Sequence, residues 1–198
     1  MDVCIEREKI TKIGIDDIDV IVGLHEEYLN FGEDIKPHYD AIVGNPDNVA
    51  LKHTLGGEIT GIDIYTKGIA LSGTHDYLIW LISRMTEGKC VYTADAVLVR
   101  REFRSLGVAG KLWAASLAEL KRHGAQRILY ELWVHPDGHV PARKVLDEFE
   151  SKTLIGRFED FYFDFHHYGY YCPICGANCV CAAEVYVADI PGIGGAPE

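Results

Sequence analysis

The chain has 198 residues, 48% hydrophobic and 25% charged, a balance that excludes a disordered or fibrous polypeptide and is long enough to bury a full core. Its 30 acidic and 19 basic residues give a formal net charge of −11. That sign excludes a nucleic-acid surface, which needs a basic patch, and leaves a solvated acidic exterior or a cationic acceptor as its meaning. Residues 1–6 show no basic region leading into an apolar core, and there is no run of about 18 apolar residues, so the expectation is a soluble cytoplasmic protein without membrane contact.

In chain order, residues 4–12 read as a first strand. Asp16 and Asp17 then open a helix that places Ile18, Ile21, Val22, His25, Tyr28 and Leu29 on one side. Residues 31–44 read as a loop and a short second helix. Residues 48–54 and 58–65, joined through Leu55, Gly56 and Gly57, predict a hairpin. The stretch 66–89 is longer than a simple connection needs. Within it Asp76–Met85 is a helix entered through residues 72–75 and left at Gly88, either a core packing element or a lid over a binding cleft.

Residues 91–99, apolar and β-branched between Gly88 and the charges Arg100, Arg101 and Glu102, predict a strand. After it the period becomes helical. Ala109, Leu112, Trp113, Ser116, Leu117 and Leu120 share a face, and Lys121, Arg122, His123 and Gly124 form the stop. Between strand and helix lie Arg104, Ser105, Leu106, Gly107, Val108, Ala109 and Gly110. Unpaired N–H groups at a helix N-terminus, with a glycine that permits close approach, make an anion site; the alternative is an ordinary strand-to-helix turn. Residues 127–134 predict another strand, followed by a loop and a short helix to about Phe149.

The C-terminal part is crowded with aromatic residues from Phe158 to Tyr171, and residues 158–165 are expected to pair with a last strand at 182–189. Between them stand Cys172, Cys175, Cys179 and Cys181. A Cys-x-x-Cys-Gly turn aims two thiolates at one point and resembles a zinc-ribbon knuckle, with Cys179 and Cys181 completing a tetrahedral set for a structural Zn(2+). An iron–sulfur cluster, a redox pair or reduced thiols remain alternatives, and His166 or His167 is a substitute ligand. The tail from Pro191 reads as frayed.

The order strand, Arg104-x-x-Gly107-x-Ala109, helix resembles the GNAT superfamily of acyl-CoA-dependent N-acetyltransferases, and the strand at 127–134 with the helix start Pro141, Ala142 and Arg143 adds to the resemblance. It implies an α/β fold with a mixed, mostly antiparallel central sheet flanked by helices and with splayed fourth and fifth strands. It also implies one domain over residues 1–198, carrying a cysteine-rich insertion at about 165–182. The coenzyme pyrophosphate would be held by Arg104, Ser105, Leu106, Gly107, Val108, Ala109 and Gly110, and the pantetheine arm by Val97, Leu98 and Val99. The resemblance departs from the family at His139, where an Asn is usual, and at Leu146, where a tyrosine often serves as general acid.

The implied chemistry is direct attack of an amine on acetyl-CoA, so candidates for moving protons are Asp95, Glu131, Tyr130 and His135. By alternation Asp95 shares a face with Val97 and Val99, and Tyr130 and Glu131 face opposite ways. Tyr28, Phe31, His38 and Tyr39 are candidates to line the acceptor pocket. The acceptor is a small-molecule or peptide amine, with a second copy of the chain as a candidate partner. A non-catalytic acyl-CoA-binding or metal-sensing module, and a zinc-ribbon interaction module, are the competing readings.

Overall fold

The computed structural model describes residues 8–29, 34–71, 76–164 and 171–192. Seven strands form one sheet: β1 (Lys9–Lys12), β2 (Val49–Leu55), β3 (Glu58–Lys67), β4 (Val91–Val99), β5 (Arg127–Val134), β6 (Lys152–Phe158) and β7 (Ala182–Asp189). Their order is β1-β2-β3-β4-β5-β7-β6, antiparallel throughout except for the β4–β5 pair. The helices are α1 (Ile18–Tyr28), α2 (Lys36–Gly44), α3 (Asp76–Met85), α4 (Val108–Arg122) and α5 (Arg143–Asp147). This is the expected mixed sheet flanked by helices. None of the described helices is long and apolar enough to cross a membrane.

The predicted hairpin forms because Gly56 and Gly57 both take positive φ (61° and 91°), the pair of left-handed positions that a twist-matched two-residue turn demands. Each face of the sheet buries its own alternate residues. Ile62 and Ile64 of β3 join Ile18, Ile21 and Leu24 of α1 and Tyr39 and Ile42 of α2. On the other face Val49, Leu51, Tyr65 and Ile128 pack with Val108, Leu112 and Leu120 of α4 and Leu146 of α5. Helix α3 covers the far half of the first face, with Leu78 and Ile82 against Leu129, Val185 and Val187. Only one side of α3 is sunk, since Tyr77 and Trp80 stay exposed.

The first-strand residues before Glu8, the residues 30–33 and 72–75, His166, His167 and the tail from 193 lie outside the described residues. One expectation shifts: the partner of β7 is Lys152–Phe158 rather than 158–165. Asp160 turns the chain at φ 51°, and Phe161 and Tyr162 leave the ladder to pack on Cys172, Cys179 and Cys181. Their apolar surface is satisfied by the cysteine hairpin, so they need no place in the sheet.

Candidate active site

Strands β4 and β5 pair only through Val91 with Arg127, Tyr92 with Ile128 and Thr93 with Leu129. Beyond that point β5 stays on β7 along its whole length and β4 stays on β3, so the two strands part. The cause of part of this divergence is visible in the β3–β4 ladder. Ile64 faces Ala96 while Tyr65 faces Ala94, leaving Asp95 as an extra residue in a bulge, a device that bends and twists its strand. The open edge of β4 is residues 94–99, and Val97 on it is 37% exposed while Leu98 is buried under α1 and α2.

The strand runs on into the turn that resembles a phosphate site. Ser105 and Gly107 hold positive φ (63° and 81°), and Lys111 N–H donates to the Gly107 carbonyl at 3.0 Å as α4 begins. The N–H groups of Val108, Ala109 and Gly110 thus precede the helical ladder. Alternating left-handed residues turn successive N–H groups toward one concavity, which favours an anion. Beyond the Cβ position of Gly107 lies open space. Arg104, Ser105, Leu106, Gly107, Ala109 and Gly110 are all exposed, whereas Val108 is buried and anchors the turn.

That anchoring depends on Gly61. A Cβ there would stand 2.9 Å from the Leu98 carbonyl oxygen and 3.2 Å from both Val108 and Leu112, so its absence lets α4 lie directly on the sheet. Of the basic residues near the turn in sequence, Lys111 pairs with Glu8 at 2.5 Å, and Arg100 donates to the Ile59 carbonyl at 2.7 Å and lies 3.6 Å from Glu58. Arg104 lies over the Tyr28 ring at 4.6 Å and donates from Nε to the Val99 carbonyl at 3.0 Å, tying the turn to both β4 and α1. Tyr28 also accepts from Arg101 N–H at 3.0 Å.

The candidate proton-moving residues separate onto different parts of this opening. The bulge carries Asp95 to the α1–α2 face, where it meets His38 of α2, while Val99 packs toward the α4 face. Strict alternation, which would set Asp95 beside Val97 and Val99, fails because the extra residue resets the period. Tyr130 and Glu131 do face opposite ways. Tyr130 is buried on the α4 face against Phe149, and burial raises its phenol far above the usual range. Glu131 accepts from the Tyr162 hydroxyl at 3.0 Å on the other face. His135 lies just past the end of β5 with its ring 4.3 Å from Trp133 and 5.3 Å from His139; burial lowers its pKa. Leu146, where the resemblance would expect a tyrosine, is core.

Sequence reasoning missed Asp63 of β3, which is fully buried beside the hydroxyls of Ser116 and Tyr65. Burial pushes its carboxyl up to about 7, and the hydroxyls offset this only in part. A carboxylate between Ile62 and Ile64, in the apolar middle of the strand, was the available signal.

The four cysteines form a second centre. Their sulfurs all lie within 4.8 Å of one another, with 3.5 Å between Cys175 and Cys181 and 3.9 Å between Cys172 and Cys181. Four ligands at metal–sulfur bonds of ~2.3 Å in a tetrahedron have sulfur–sulfur edges of ~3.8 Å, so the set needs little contraction to hold a metal. Cys172 and Gly176 exchange two backbone hydrogen bonds (3.1 and 2.9 Å), and Gly176 takes φ 78° to close the turn. The N–H groups of Ile174 and Cys175 both point at the Cys172 sulfur at 3.4 Å, an arrangement that stabilises a thiolate.

Residues 74–149 match the model of the acetyltransferase (GNAT) family. No curated protein sequence matches significantly. Among solved structures, the fold is similar to NAA60 of Arabidopsis thaliana in complex with a bisubstrate analogue, with TM-score 0.65 and 13% identity over 94% of this chain and 99% of that one. It is also similar to an N-acetyltransferase from Staphylococcus aureus Mu50, with TM-score 0.64 and 11% identity over 93% and 99% of the two chains. A third likeness is to yncA from Salmonella typhimurium with its cofactor acetyl-CoA, with TM-score 0.61 and 11% identity over 97% and 98%.

Proposed function

From a chain that has the GNAT acetyltransferase fold, we propose an N-acetyltransferase acting as one domain, which moves an acetyl group from acetyl-CoA to an amine by direct attack. The observation that carries this reading is the parting of β4 from β5 after Thr93 and Leu129, continuous with an exposed turn of left-handed residues at the start of α4. The coenzyme pyrophosphate would take the N–H groups around residues 105–110, with Arg101 and Arg104 to balance its charge. Val97, Leu98 and Val99 offer the open strand edge along which the pantetheine arm would lie, and a strand N–H there would meet the oxyanion of the tetrahedral intermediate.

The amine would approach from the α1–α2 face, where Asp95 on one lip and Glu131 on the other favour a cation. A small-molecule amine or a peptide N-terminus both fit that description. An ammonium with a pKa near ~10.4 must lose its proton before attack. The collapsing intermediate then expels the thiolate, which takes a proton from Tyr130, kept protonated by burial on the α4 side of the opening; the second nitrogen-bound proton returns to the Tyr130 phenolate.

The cysteine hairpin is read as a structural Zn(2+) site of Cys172, Cys175, Cys179 and Cys181, which suits a reducing, cytoplasmic compartment. The test of the main reading is calorimetry with acetyl-CoA, followed by thiol release against a panel of polyamines, aminoglycosides and peptide N-termini. Stoichiometric binding and acceptor-dependent thiol release are expected. No binding and no release with any acceptor would overturn it.

A further inference from the structure

Helix α2 delivers an imidazole to the one place where β4 is bulged. His38 Nε2 lies 3.0 Å from each oxygen of Asp95, although the two residues are 57 positions apart in sequence. The histidine side chain is 47% exposed and the carboxylate 16%. With Nε2–H donated to the carboxylate, Nδ1 is the nitrogen left with a lone pair. Asp95 is four residues from Val99, ~13 Å along the strand at ~3.3 Å per residue, and so at the deep end of the opening.

We propose that His38 is the base that accepts the acceptor's ammonium proton, with Asp95 as its positioning residue. The inference rests on the acetyl-transfer reading. In the step, one N–H bond of the ammonium breaks and Nδ1 of His38 gains the proton. The neutral amine attacks the thioester carbon, a C–N bond forms, and the C–S bond breaks. The departing thiolate takes a proton from Tyr130, the second proton on the attacking nitrogen restores the Tyr130 phenol, and imidazolium later returns its proton to solvent.

The neighbouring groups support this division of roles. Hydrogen bonding to Asp95 raises the His38 pKa; burial opposes this, and the carboxylate's charge raises it further. Such a shift keeps the base strong near neutral pH. His25 of α1, facing the same carboxylate, is desolvated until its pKa falls to about 4, and its Nδ1 is 2.6 Å from the Tyr39 hydroxyl. It is therefore a neutral neighbour. Tyr39 on α2 is buried, with its phenol raised beyond the physiological range. Glu131 on the opposite lip is engaged by Tyr162. His38 combines exposure, an oriented ring and a carboxylate behind it, which is the arrangement by which a third group holds a histidine in its basic tautomer.

The experiment compares wild type with His38→Gln, His38→Ala and Asp95→Asn, measuring acetyl-CoA affinity, kcat and KM across pH 5.5–9 with the best amine found. For His38→Gln we expect kcat to fall by roughly 10² to 10⁴, unchanged coenzyme affinity and loss of the rising acidic limb. In Asp95→Asn the limb should move to lower pH, and added imidazole should restore part of the His38→Ala rate. An active wild type with an equally active His38→Gln and the same pH limb would overturn the dyad while leaving the acetyl-transfer reading intact. A wild type that binds no acetyl-CoA and acetylates nothing would overturn both.

Discussion

Around the β4–β5 opening, functional backbone is held from behind by the main apolar core, whereas the cysteine hairpin is backed by a small separate cluster built around Phe161, Tyr162 and its own sulfurs. Val108, Leu112 and Leu120 are buried to 5% exposure or less, and Gly61 lets them seat α4 on the sheet. Burying each such leucine contributes about 1.5–3 kcal/mol, so the turn at residues 104–110 inherits its shape from the core. In the hairpin, Tyr171, Ile174 and Val180 point outward, and order rests on two backbone hydrogen bonds, a small aromatic cluster and the convergence of four sulfurs. One region is shaped by packing that needs no ligand. The other has the form of a staple, whose stability should follow whatever joins its sulfurs.

The largest effect is expected where the staple is cut. The apparent binding free energy of structural zinc sites is of order 10–16 kcal/mol near neutral pH, far beyond what two hydrogen bonds contribute. Metal analysis of protein purified without added metal should find about one zinc per chain, lost in the double variant Cys172→Ser, Cys175→Ser. Hydrogen exchange should show amides of residues 171–181 losing protection while α4 and β3 keep theirs. A metal-free wild type with protected hairpin amides would erase the contrast between the regions.

Next comes the turn. Gly107→Glu places a carboxylate where the pyrophosphate is proposed to sit, in open space and at φ 81°, so acetyl-CoA affinity should fall on the order of 100-fold or more. Gly107→Ala separates strain from charge. It should cost about 1 kcal/mol in stability but leave most of the affinity. Calorimetry with both variants decides between the two, and equal affinity for wild type and Gly107→Glu would remove the anion site. The contrast in packing is checked by Leu112→Ala, expected to lose about 2–5 kcal/mol, against Ile174→Ala in the exposed hairpin, expected within about 0.5 kcal/mol. Urea unfolding measures both.

The comparison also marks what was legible in the residues. β4, α3 and β7 stand where their periods put them, because a core-facing stripe is a local pattern. The bulge at Asp95 was not legible, since it exists only in the register with Ile64 and Tyr65, some thirty residues away in the chain. Plain alternation without that bulge sets Asp95 on the opposite face and leaves His38 as a pocket-lining residue with no carboxylate partner. The aromatic residues after Phe158 gave a strand signal, yet Phe161 and Tyr162 serve the cysteine cluster; β-propensity reports a fit to half-buried surface, and a thiol cluster offers one too. Gly61 stands inside β3, and its reason lies in distant residues: the Leu98 carbonyl and the side chains of Val108 and Leu112 leave no room for a Cβ.

The smallest expected effect distinguishes two buried titratable groups that flank the opening on its two faces. Asp63, against α4, has its pKa raised from 3.8 to about 7 by burial, so the folded state holds its proton more tightly than the unfolded chain. Its stabilising contribution is fully present below about pH 4 and is lost as pH rises toward 7, with a slope of at most ~1.4 kcal/mol per pH unit. His25, against α2, has its pKa lowered from 6.5 to about 4 by burial, so its contribution is present above pH 6.5 and is lost as pH falls toward 4. Between pH 4 and 6.5 the two slopes oppose each other, and wild-type stability should be nearly flat with respect to this pair. Asp63→Asn keeps the shape but removes one slope, so its stability should rise with pH across that window, following His25 alone. Urea melts at pH 4.5, 5.5 and 6.5 measure it. An Asp63→Asn profile parallel to wild type would mean that Asp63 is ionised in the folded protein, and the α4 face of the opening would then carry a buried negative charge behind Tyr130.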